Sequence, residues 1–82
     1  MAASKGTIRK WLGEGKERGA THVIVMCDTF DHDDYPVFVK TGEDVRARVE
    51  QCRYEPMQTL MEVYDLSMDL DTQMSQLRAM NY

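Results

Sequence analysis

The chain has 82 residues, 43% of them apolar and 29% charged, and a formal net charge of −4. That length makes one domain, residues 1–82, burying only roughly 60–65% of its unfolded surface, so a hydrophobic core and a deep substrate pocket compete for space. The negative charge argues against a surface built mainly to hold nucleic-acid phosphates, and the longest apolar run, residues 23–27, is far short of the roughly 18 residues that span a bilayer.

The N-terminal stretch MAASKGTIRKWLGEGK has no continuous hydrophobic segment and does not read as a secretory signal. A cytoplasmic location is the expectation, with Cys27 and Cys52 as reduced thiols. Thr7 is the expected cap of a first helix. Ile8, Trp11 and Leu12 share one face at i, i+3 and i+4, and Gly15 continues it at i+7. A glycine there costs about 1 kcal/mol against alanine, which points to close approach of helix and sheet. Gly19 suits the left-handed position that ends a helix.

THVIVMC follows, β-branched and apolar on both faces, as a central strand covered on both sides. YPVFVK is a second strand, with Pro36 tolerable near its start or on an edge. The acidic segment between them is expected to exceed the two to five residues of a usual hairpin loop. TGEDVRARVEQCR is the clearest helix, with Thr41 as expected cap, Val45, Val49 and Cys52 as buried stripe, and a break at Tyr54, Glu55 and Pro56. MQTLMEVYDLSM fits either a helix or a strand. It is assigned to a strand, because two strands alone make a marginal sheet. Asp69 or Asp71 then starts a last helix with Leu70, Met74 and Leu77 turned inward and Arg78 near its end. The expected fold is a single small α/β (α+β) domain of order α-β-β-α-β-α, a three-stranded sheet packed by helices, with the third strand beside the first.

CDTFDHDDYP, residues 27–36, crowds four aspartates, a histidine and a cysteine into ten positions. A calcium loop needs acids at alternate positions and then a glycine, whereas this segment has adjacent aspartates and no glycine. A closed zinc set is not met either, even with Cys27 or His22 added. His32 oriented by Asp31 or Asp34 is the natural catalytic candidate, but no activated serine pattern or phosphate-binding glycine loop accompanies it. The reading is therefore no catalytic residue, no metal and no cofactor. The aspartates suit a turn. Phe30 and Tyr35 within it suit either core anchors or an aromatic anchor with a charged rim. Asp28, Phe30, Asp31, His32, Asp33, Asp34 and Tyr35 are accordingly the expected partner-binding residues. Met57, Met61, Met68, Met74 and Met80 fill an irregular core or form an adaptable binding surface. Open sheet edges invite pairing with a second copy as a homodimer. The alternative function is a small-molecule or nucleotide-binding dimer, with phosphates held by Lys40, Arg46, Arg48, Arg53 or the helix start at Thr41 and Gly42.

The stretches GATHVIVMCDTFDHDDYPVFV and MEVYDLSMDLDTQMSQLRAMN, about half the chain, resemble small bacterial and phage proteins of unassigned activity. The resemblance carries over no functional residue. It implies a class of action: contact with a host or bacterial protein, including inhibition of a host defence complex, as in anti-CRISPR proteins. That class rests on association and not on the physics of the residues.

Overall fold

The computed structural model describes residues 4–82. The elements are α1 (Lys5–Glu17), β1 (Ala20–Asp28), β2 (Asp34–Lys40), α2 (Val45–Arg53), β3 (Gln58–Asp65) and α3 (Leu70–Met74). They form the expected α+β arrangement. The sheet order is β2-β1-β3, with β1 antiparallel to both neighbours. The ambiguous segment is thus a strand, and β1 is central.

The alternation along β1 explains the two apolar layers. Val23 and Val25 face α1, packing with Ile8, Leu12, Tyr64, Leu66 and Met74. Ile24 and Met26 face α2, packing with Val39, Val49, Leu60 and Val63. Each of the four β1 residues is at most 1% exposed. Val45 and Cys52 complete the α2 stripe from partly buried positions. Pro36 lies near the start of β2, on an edge strand, where its missing N–H disturbs least.

The caps of α1 and α2 depart from expectation. Ser4, in an extended conformation, accepts from the Thr7 amide at 3.2 Å, so α1 begins one turn before the expected Thr7 cap. The first apolar residue, Ile8, already donates its amide to the Ser4 carbonyl. In α2 the cap is Asp44, whose carboxylate accepts from the amides of Arg46 and Ala47. Thr41 instead sits in a turn that Gly42 makes possible at φ +95°, and its hydroxyl donates to the Gly19 carbonyl.

Gly15 is where the helix presses on the sheet. A Cβ there would meet Leu66 Cδ1 and Val23 Cγ2 at 3.0 Å each. Gly19 adopts φ +74°, as its place after the helix predicted.

The C-terminal part departs most. Asp69 caps α3, but the helix is only five residues long. Leu77, expected inward, is fully exposed. Gln73 is buried in its stead. It accepts from the Asp65 amide and donates to the Asp65 and Asp69 carbonyls, so the buried amide is satisfied. The chain then returns along β3. Val63 donates its amide to Ala79 O, and Asn81 donates to Val63 O. Arg78 donates to the carbonyls of Leu60 and Met61. This covers part of the outer edge of β3, one of the two edges expected to be open. No helix among the described residues is long and apolar enough to cross a membrane.

Candidate functional site

The acidic segment is a tighter structure than its composition implies. β1 runs through Asp28 and β2 begins at Asp34, which leaves a five-residue loop, 29–33, within the usual hairpin range and not beyond it. Asp28 builds the turn: its carboxylate accepts from the Phe30 amide at 2.8 Å, and its carbonyl from the His32 amide at 2.7 Å. The Asp28 amide donates to the Asp33 carbonyl. His32 takes the left-handed conformation at φ +60°, as the last part of such loops often requires. Thr29 binds the loop to the start of β3, donating both its amide and its hydroxyl to the Met57 carbonyl.

The seven expected contact residues divide in two. Phe30, Asp31, His32 and Asp33 are exposed, while Asp28, Asp34 and Tyr35 are half-buried. Tyr35 donates its hydroxyl to Gln58 and packs against the α2-side core. Burial first, and neighbouring negative charge after it, push its phenol upward, so it stays protonated. Phe30 is 75% exposed, which rules out the core-anchor reading for it.

Sequence reasoning missed Tyr54 and left Met57 between core filler and an adaptable binding surface. Both are exposed, and Met57, at φ +62°, is directly bonded through its carbonyl to Thr29. The end of the sheet therefore carries Phe30 and Met57 close by, with Tyr54 on the same connection. Asp31 and Asp33 in the loop and Glu55 in the turn are also exposed. Loop 29–33 and turn 54–57 contain no lysine or arginine. For Tyr54 the signal in the sequence was the helix break itself, which puts a large side chain in a connection.

The thiols are unsuited to nucleophilic work. Burial, and then the Asp34 carboxylate, push Cys27 above its ordinary value. Burial does the same to Cys52, outweighing the opposite pull of Arg48. Among the described residues, no group of three or more His, Cys, Asp or Glu is placed to hold a metal ion.

The phosphate-binding groups that the alternative function would need at α2 are engaged within the chain. The Asp44 carboxylate occupies the amides an anion would use. Arg48 lies 3.7 Å from Glu43 and Arg53 lies 3.8 Å from Glu50. Arg46 stacks over the Tyr82 ring.

The chain matches no family model, no curated protein and no solved structure.

Proposed function

We propose that the protein is a binding module that grips a partner protein with the hairpin end of its sheet. Phe30 is the anchor, Met57 and Tyr54 extend the apolar contact, and Asp31, Asp33 and Glu55 form the rim. The observation that carries this reading is a phenylalanine 75% exposed on a loop that is braced at both ends. Single exposed apolar residues are common. This one is exposed on a turn whose bonds fix its backbone, and its neighbour Thr29 is bonded to the carbonyl of another exposed apolar residue, Met57. Burying a phenylalanine is worth about 1.5–3 kcal/mol, which a partner can recover with little ordering cost because the loop is preorganised.

The acidic rim selects the partner's chemistry: an apolar pocket edged by lysine or arginine. Such charges raise the association rate and set its salt dependence. In keeping with the resemblance to small bacterial and phage proteins, the partner is a host or bacterial protein, and a defence complex is the class to test first. The test is capture from host lysate by the wild type, by Phe30→Ala and by Asp31→Asn/Asp33→Asn, with thermal melts in parallel. A captured protein that is lost with Phe30→Ala, and whose association slows in the double variant, supports the reading. Equal capture by all three at equal stability refutes it.

A further inference from the structure

A second group of side chains lies at the other end of β1 and is independent of the hairpin surface. The pairing of β1 with β2 slips between Ala20 and His22, so Thr21 is an extra residue with no partner of its own. Adjacent residues of a regular strand point to opposite faces. A bulge bends the strand and re-aims side chains, and here it brings neighbours together: Thr21 Oγ1 lies 2.9 Å from His22 Nδ1. The other ring nitrogen, Nε2, faces Asp65 Oδ2 at 3.5 Å. Asp65 is fixed in turn, because its Oδ1 accepts from the Ser67 amide at 2.9 Å and the Ser67 hydroxyl at 2.7 Å. The His22 side chain is only 13% exposed. All four residues line a cleft of about 470 Å³, with Lys16, Ala20 and Leu66 as the remaining walls.

We propose that Thr21 is an acyl-accepting nucleophile, with His22 as its general base and Asp65 as the residue that positions the imidazole. The order hydroxyl, imidazole, carboxylate is the one that nucleophilic acyl transfer uses on unrelated folds. The Asp65 carboxylate favours the tautomer with the proton on Nε2, and in that tautomer the Nδ1 lone pair faces the hydroxyl. The hydroxyl has a competing acceptor in the Val39 carbonyl, at the longer distance of 3.3 Å. Lys16 places a positive charge on the cleft wall, where an acyl oxygen gains charge during attack. With an activated ester as acyl donor, the bond from Thr21 Oγ to the acyl carbon forms and the bond from that carbon to the leaving oxygen breaks. The hydroxyl proton passes to His22 Nδ1 and from there to the departing alkoxide. Water then releases the acyl group as a carboxylic acid.

The probe is p-nitrophenyl acetate with the full chain, followed by nitrophenolate release, acid quench and peptide mass mapping. The expected result is an acetyl group on Thr21. Its rate should drop about 100-fold in His22→Gln, the scale of a lost general base. Thr21→Ser keeps the label at residue 21, and Thr21→Val, which matches the shape without the hydroxyl, removes it. These two variants decide the matter even if His22→Gln does not fold. Asp65→Asn tests positioning: it slows acylation and changes the rate–pH profile, whereas a purely structural role leaves the profile of the folded fraction unchanged. Acetyl groups only on lysines or the N-terminus overturn the proposal, as does labelling of Thr21 at the wild-type rate in a folded His22→Gln variant.

Discussion

Gly13 and Gly15 lie in the same helix, yet alanine at each should change stability in opposite directions. A Cβ at Gly13 meets nothing within 4 Å, while one at Gly15 meets Leu66 Cδ1 and Val23 Cγ2 at 3.0 Å and Phe38 Cδ1 at 3.4 Å. Both substitutions gain the same backbone term, about 1 kcal/mol for alanine over glycine inside a helix. Gly13→Ala should keep all of it. Gly15→Ala must also overpack a closed contact, at about 1–3 kcal/mol. Relief is limited, because Val23 is fully buried and its branched side chain is stiff about χ1. The expectation is a gain of about 1 kcal/mol for Gly13→Ala and a net loss of about 0–2 kcal/mol for Gly15→Ala. The gap between the variants isolates the crowding. For a domain of this size each 1 kcal/mol moves the melting temperature by roughly 4–8 °C. Urea unfolding with the slope checked, together with thermal melts, reads the difference. If both variants rise together by the same amount, α1 does not press on the sheet at Gly15, and the packing argument is wrong.

Phe30→Ala and Asp31→Asn/Asp33→Asn should each leave the unfolding midpoint within ~0.5 kcal/mol of wild type, as exposed positions do; a loss of several kcal/mol for Phe30→Ala would show a packed side chain. Asp44→Ala should cost about 1 kcal/mol through loss of the α2 cap, while Thr41→Ala stays within ~0.5 kcal/mol; the reverse ranking in urea would return the cap to Thr41. Gln73→Leu strands the Asp65 amide, at about 1–3 kcal/mol for a group left buried without a partner, while the Asp65 carbonyl keeps the Met68 amide; a midpoint equal to wild type would contradict that. Burial raises the Asp65 carboxyl, but the two Ser67 bonds and the His22 ring lower it further, so it ends below its ordinary value. Its contribution to stability is then complete above the unfolded carboxylate value of about 3.9 and is lost as pH falls through the lower folded one. Asp65→Asn should flatten that part of the acid limb, measured as unfolding free energy against pH.

The fold was legible where apolar pattern alone decides it. The run from Val23 to Met26 reads as a strand covered on both faces, and Pro36 is tolerable only near a strand's start or on an edge. The strand at β3 followed from what a sheet needs, not from local propensity. The caps were less legible, because several residues compete and the backbone decides: Asp44 is extended and Thr41 lies in the turn before it. The last helix was overextended because Leu77 kept the helical period. The returning tail, held by Arg78 on the carbonyls of β3, takes the place that another helical turn would have filled. The hairpin was judged too long because polar residues at strand ends leave no apolar trace. The exposure of Phe30 was undecidable from sequence, since an aromatic in a short loop is as consistent with folding inward as with facing water.

The two candidate sites share β1 and little else. One lies beyond its last residue, where polar turn chemistry holds an apolar side chain outward. The other lies at its start, where a bulge turns two neighbouring side chains toward one carboxylate. Residues 21 and 28 of a strand stand about 23 Å apart at ~3.3 Å per residue, beyond the range at which substitutions ordinarily interact. The strand between them is the most buried part of the molecule, sealed on both faces and paired on both edges. Such a strand gives the rigid support that precise side-chain placement requires. In a chain too small for a deep pocket, polar chemistry has room only where the buried strand runs out, and both sites are found there.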